Sequence, residues 1–233
     1  VLPIFGVPLT VNEEVTTTLD YGFDYSGSLH YGIDAHFHAP FKMNDHVETY
    51  VVQEAIWDRG EGRGSLSKQV GKSYSADGVH LCTVETCDCC IYDGGFGGER
   101  PPKDVVEYPD REPDLTYEEV CGYQWPLIYR LMGDWHQQHI DWAYTEQTGL
   151  ARPINHGVCT AGIAMRHLIA LLIPGQPERL RRFKCRFTSP VLPGTRLCTQ
   201  VWKVGEREAR FCMVNADEPE AKPYLSACLA EWE

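Results

Sequence analysis

The stretch "GVCTAGIAMRHLIALLIPG" (157–175) constrains the fold more than any other part of this chain. Val158, Ala161, Met165, Leu168 and Leu172 recur at helical spacing, and most of the positions between them are apolar as well. A helix that is greasy nearly all round has to be enclosed rather than laid on a surface. Pro174 and Gly175 end it. Beyond them, "FKCRFTSPVLPGTRLCTQVWKVGEREARFCMVN" and "YLSACLAEW" read as strands separated by turns, with period-two patterning in places. One long buried helix followed by several antiparallel strands predicts a sheet wrapped around that helix, an α+β layout.

The pattern occurs in part a second time. At an offset of 150 residues, "APFKMNDHVETYVV" (39–52) lies over "SPVLPGTRLCTQVW" (189–202), matching Pro40 with Pro190, Thr49 with Thr199 and Val51 with Val201. Each copy runs on into a glycine-containing turn, "DRGEGRG" or "VGERE", and then into another strand-like segment. Between the copies, "GGERPPKDVVEYPDREPDL" (97–115) is rich in proline and charge; it can continue neither a helix nor a central strand and reads as a surface-crossing linker. The chain therefore divides into a first unit at 1–98, a linker at 99–115 and a second unit at 116–233. The first unit has strands expected at 46–58, 65–74 and 79–92 but no long buried helix of its own.

Composition excludes several classes of function. A formal charge of −12 and a pI near 5.2 argue against a nucleic-acid surface. The one basic cluster, "RLRRFKCR" (at 179–186), is either a solvated edge or a local anchor for a phosphate-bearing ligand. With a mean hydropathy of −0.33, no run approaches the roughly 18 to 20 apolar residues of a membrane span. Ten cysteines read as reduced thiols, because the chain is large enough to fold on burial alone. In "CTVETCDCC", Cys82, Cys87, Cys89 and Cys90 lack the separated pairs of a zinc site and predict a strand with thiols buried on one face and exposed on the other. "DGGFGG" (93–98) has no following helix or lysine and reads as a tight turn rather than a phosphate cradle. The chain begins with Val and its C-terminus, "LAEWE", carries no peroxisomal tripeptide, so cytoplasm and peroxisome both stay open.

Chemistry concentrates in "YRLMGDWHQQHID" (129–141), which places Asp134, His136, His139 and Asp141 within eight positions. A solvated loop is the plain alternative. A carboxylate and an imidazole held about one water apart can exchange protons with a bound substrate, and a loop can aim both at one water. Asn155, His156 and Gly157 then open the buried helix; Asn155 is a candidate cap, and Gly157 offers a bare backbone N–H at the positive helix end. Tyr129 and Arg130 read first as packing and salt-bridging groups.

Together these segments resemble the MaoC-like type 2 enoyl-CoA hydratases, as in the hydratase unit of peroxisomal multifunctional enzyme type 2. The family signature, Y-R-L-x-G-D-x-N-P-x-H-x-D followed by R/K-P-I-x-H-G-x-C, is met by "YRLMGDWHQQHID" and "GLARPINHGVCTAGIA" (149–164), with "RFTSPVLPGTRLCTQVW" (186–202) beyond them. The likeness reaches into the first half through "LPIFGV" (2–7), "DRGEGRG" (58–64) and "DGGFGGERPP" (93–102). It implies a double hotdog fold, in which an antiparallel sheet wraps around a long central helix. It also implies reversible addition of water to trans-2-enoyl-CoA, giving (R)-3-hydroxyacyl-CoA. Asp134 and His139 carry over as catalytic residues and Gly157 as the backbone donor to the thioester carbonyl. Tyr129, His136, Asn155, His156 and Val158 are the substrate-binding candidates around them. No metal or organic cofactor is implied; the CoA thioester is the substrate, and the expected partner is a second copy of the chain, because exposed sheet edges favour a homodimer.

Three departures stand out. His136-Gln137 replaces the signature's Asn-Pro, Pro126 falls within the short helix leading to the site, and the strand and helix expected before "LPIFGV" are not in this sequence, so the first hotdog unit is expected to be incomplete. Three functions remain as alternatives: a hydratase or dehydratase of simple acyl thioesters, a tailoring dehydratase of a polyketide-type metabolite, or a non-catalytic acyl-thioester-binding or assembly protein.

Overall fold

The computed structural model describes residues 1–11, 22, 24 and 27–233. Among the described residues, nine antiparallel strands form one sheet: β1 (Ser28–Phe37), β2 (Val47–Asp58), β3 (Ser65–Ser75), β4 (His80–Cys90), β5 (Leu115–Val120), β6 (Leu180–Phe187), β7 (Arg196–Lys203), β8 (Glu208–Asn215) and β9 (Leu225–Trp232). Their spatial order is β2-β3-β4-β1-β6-β9-β8-β7-β5. Outward from the central β1–β6 pair, the order 1-4-3-2 on one side is repeated as 6-9-8-7 on the other, and β5 adds an edge to β7. The offset of 150 residues between "APFKMNDHVETYVV" and "SPVLPGTRLCTQVW" is therefore the spacing of equivalent strands β2 and β7. At the seam, a Cβ on Gly32 would lie 2.9 Å from the Cys185 carbonyl oxygen, so β1 and β6 can approach only at a glycine.

The apolar helix forms over Gly157–Leu172 and is α4 here, after α1 (Gly6–Thr10), α2 (Trp125–Tyr129) and α3 (Trp142–Gln147). Val158, Ala161, Ala164, Met165 and Leu168 are buried against Phe183, Leu197, Val201, Phe211 and Met213 of the curved sheet. Burying each large apolar side chain is worth roughly 1.5 to 3 kcal/mol, so this half carries much of the stability. A polar residue of the helix, His167, is fully buried but satisfied: Nδ1 meets Thr199 Oγ1 and Nε2 meets the Glu119 carboxylate, each at 2.9 Å. The Glu119 contact ties α4 to the edge strand β5, and the Thr199 contact ties it to β7. The chain is thus a double hotdog, and among the described residues of the first half the only helices are the five-residue α1 and the 3-10 turn before it. Helix α1 lies against β3 and β4.

The linker is pinned to the outer face of the sheet. Asp104 pairs with Lys184 and Arg186, Tyr108 donates to the Phe211 carbonyl at 3.0 Å, and Trp202 Nε1 donates to the Arg111 carbonyl at 2.8 Å. Two expectations change as a result. The basic run at 179–186 is no solvated edge: most of it is the central strand β6, and Arg182 is engaged by Asp34 and Glu231. Nor are the thiols of β4 divided into a buried and an exposed face. Cys89 and Cys90, neighbours that point to opposite sides, are both buried, with the Arg59 guanidinium over Cys89 at 3.1 Å. All ten cysteines are free thiols. The turn at 93–98 folds over Asp58, whose carboxylate accepts the N–H groups of Gly60, Gly95 and Gly97 at 2.7 to 2.8 Å. Those amides hold the buried carboxylate below its usual range. No helix among the described residues is long and apolar enough to cross a membrane.

Candidate active site

The loop bearing the titratable groups is shaped by its neighbours. Pro126 sits in the first turn of α2, where its missing N–H costs nothing, so it starts the helix rather than kinking it. A 3-10 turn over Arg130–Met132 ends at Gly133, whose φ of 111° suits glycine alone. Asp134 comes next, and His136 caps the 3-10 turn Gln137–His139: its Nδ1 accepts the Gln138 N–H at 3.3 Å, while its own N–H donates to Asp134 Oδ1 at 3.2 Å. Asp141 caps α3 by accepting from the Ala143 and Tyr144 N–H groups. Of the four crowded groups, His136 and Asp141 serve as caps and the other two face one another.

Those two are Asp134 and His139, and His156 joins them from the helix entry. His139 Nε2 lies 4.0 Å and His156 Nε2 3.9 Å from Asp134 Oδ2. Both rings are buried and stack with centroids 3.6 Å apart, whereas the Asp134 side chain stays partly open to solvent. His139 Nδ1 is 2.9 Å from the Ile154 carbonyl, which can only accept, so the proton is on Nδ1 and Nε2 presents a lone pair. The Gln138 amide reaches that Nε2 at 3.3 Å. Burial pushes His139 down to about 4, with the neighbouring His156 adding to the effect, and burial lowers His156 too against the pull of Asp134. Gaps of about 4 Å are too wide for direct hydrogen bonds and suit a single oxygen bonded to both groups.

The helix start is clipped to this loop, the Ile154 N–H donating to the Gln138 carbonyl at 3.1 Å. Asn155 does not cap α4. The N-cap is His156, which makes no side-chain cap bond, and Asn155 is buried with its amide nitrogen donating to Thr160 Oγ1 at 3.0 Å. The first-turn N–H groups of Gly157 and Val158 are thereby left without an intrahelical partner. Val158 turns its side chain into the core, so only its backbone can meet a ligand. Tyr129 lies over the His156 ring at 4.7 Å, and burial raises its hydroxyl well above the usual range.

Asp134, His139 and His156 offer donor atoms all within 4.8 Å of one another, close enough to raise the question of a metal. Their geometry suits one poorly. The two ring planes are only 22° apart, so in-plane lone pairs run alongside rather than converge, and His156 Nε2 faces the Asp134 carbonyl at 3.3 Å.

Comparison with known proteins identifies the family. The family described as "MaoC like domain" matches residues 105–219. The chain is 32% identical over 216 residues to 3-hydroxyacyl-thioester dehydratase Y of Mycobacterium tuberculosis, covering 90% of this chain and 74% of that one. The chain belongs to the MaoC-like dehydratase family. It is also 31% identical to mouse peroxisomal multifunctional enzyme type 2 over 88% of its own length, although it spans only 29% of that longer enzyme. A MaoC-like dehydratase from Phytophthora capsici superposes with a TM-score of 0.78 at 23% identity, over 89% of this chain and 72% of that one, which supports the fold. As a MaoC-like protein the chain is a hydro-lyase.

Two residues of this MaoC-like site have no counterpart among the candidates that the sequence suggests. His30, from β1, packs against Phe187 of β6 with ring centroids 4.7 Å apart and lies close enough to Asp134 to feel its charge. Phe187 in turn packs where a side chain on Gly157 would be, 3.2 Å from its Cβ position. Glycine at 157 thus makes room for the Phe187 ring. Nothing in "SLHYGIDAHF" marks His30, because only the β1–β6 seam brings it to the site.

Proposed function

We propose that this chain adds water to, or removes it from, the 2,3 bond of an acyl-CoA thioester, with Asp134 and His139 moving the protons and the Gly157 N–H holding the carbonyl oxygen. The observation that carries the reading is the spacing of a neutral His139 Nε2 and the Asp134 carboxylate at 4.0 Å. In the hydration direction, a water bonded to both attacks C3 of the enoyl thioester, and the double-bond electrons move to make an enolate. The pair takes one proton from that water and delivers one to C2, so each turnover restores its protonation state. Enolate charge on the thioester oxygen is met by backbone N–H groups at the start of α4, which bind it more strongly than the ground-state carbonyl.

Incubation with crotonyl-CoA tests the reading. Loss of the enoyl absorbance with formation of 3-hydroxybutyryl-CoA supports it. Tight binding of the thioester with no turnover favours the non-catalytic acyl-binding alternative.

A further inference from the structure

Strand β3 sends six residues to the concave side of the sheet, the side on which Thr10 of α1 abuts Gly71: Ser65, Ser67, Gln69, Gly71, Ser73 and Ser75. None of them is a large apolar residue, and the five with side chains are all buried. Its equivalent in the second half, β8, points Ala209, Phe211 and Met213 at the helix instead. The polar lining continues across the register, Gln69 opposite Thr86 and Ser67 opposite Asp88 on β4, then Asp88 opposite His30 on β1. A hydrophobic core would not be built this way, because each buried hydroxyl, amide or carboxyl costs about 1 to 3 kcal/mol if it goes unsatisfied.

Part of this lining satisfies itself. Thr49 bonds Ser73 at 2.9 Å, Ser67 donates to the Gln53 amide oxygen at 3.2 Å, and Thr86 bonds His30 at 2.8 Å. The Asp88 carboxyl and the Gln69 amide have no such partner among the described residues. Burial raises Asp88 to about 7, so near neutral pH it is substantially a hydrogen-bond donor as well as an acceptor. The face also begins beside the reacting centre, since His30 touches Phe187 and Phe187 covers Gly157.

We propose that the acyl group this chain accepts is oxygenated, bearing hydroxyl or keto groups beyond the reacting carbons, and that Asp88 and Gln69 recognise those oxygens. The inference rests on the hydratase reading above. A plain alkyl chain laid on this surface would strip water from its polar groups and return no hydrogen bond. An oxygenated chain replaces the bonds that water gave up, and sites built to bind a substrate oxygen discriminate strongly against analogues that lack it.

The test compares hydration of trans-2-decenoyl-CoA with that of hydroxylated and keto counterparts carrying the oxygen at successive positions. At least one counterpart is expected to exceed the plain chain in kcat/KM by about tenfold or more. Asp88→Leu and Gln69→Leu are expected to bring that ratio towards one, and the near-isosteric Asp88→Asn to retain most of it. Equal or better turnover of the plain chain, with crotonyl-CoA also hydrated, overturns the inference and leaves the hydratase reading standing. A ratio unmoved in both leucine variants, each shown folded by circular dichroism, removes Asp88 and Gln69 from it. Inertness towards every thioester, crotonyl-CoA included, overturns both.

Discussion

His139 and His156 stack with their ring centroids 3.6 Å apart, and both present Nε2 to the same Asp134 carboxylate oxygen. Two imidazolium charges at that separation would repel strongly in a buried setting, so the two rings are not both charged, and burial lowers the proton affinity of each. One of them, His139, is oriented by the Ile154 carbonyl to offer a lone pair.

The lowered proton affinity of His139 sets the pH dependence of activity. A base whose proton affinity is lowered to about 4 stays competent well below the usual histidine range. The kcat/KM for hydration should be flat from neutral pH to about 5 and fall only on approach to 4. A profile half-lost near the ordinary histidine value of 6.5 would mean that His139 titrates as an exposed group.

Stability responds to acid through groups of opposed sign, the depressed histidines on one side and Asp88 on the other. His139 is depressed from 6.5 to about 4, so the unfolded chain binds the extra proton as pH falls through that window and stability is lost, by up to about 1.4 kcal/mol per pH unit. Asp88 is raised from 3.8 to about 7, so the folded chain holds the extra proton between those values and gains stability as pH falls. Asp88→Asn removes the second contribution. Melting temperatures measured between pH 7 and 5 should therefore fall more steeply in the variant than in the parent; equal slopes would show that Asp88 titrates normally.

Gly157→Ala should harm the site through Phe187. The added methyl would meet the ring at 3.2 to 3.3 Å, tighter than ordinary contact, and the ring must shift towards His30 or the helix start. We expect a loss of about 1 to 3 kcal/mol in stability and about tenfold in kcat/KM. The double variant with Phe187→Leu should recover part of both. No recovery would place the damage in the helix backbone instead.

The local chemistry was legible in the sequence because it depends on short-range rules. Helical spacing marked α4, glycine and the polar run marked the Asp134–His139 loop, and the 150-residue offset marked β2 and β7 as equivalents. Long-range pairing was not legible. His30 reaches the site only through the β1–β6 seam, and the serines of β3 read simply as strand until Thr10 against Gly71 shows which way they face. Asn155 misled for a different reason: cap preference is a local propensity, and here the helix starts one residue later, so His156 occupies the cap position and the Asn155 amide nitrogen turns to Thr160.

The most direct measurement is the rate of crotonyl-CoA hydration by the parent chain and by Asp134→Asn. Asparagine keeps the oxygen that accepts the His136 N–H at 3.2 Å, so the loop should hold its shape while the carboxylate is lost. The account predicts a kcat lower by about 10² to 10⁴ with an unchanged melting temperature. Undiminished turnover in that variant would contradict it.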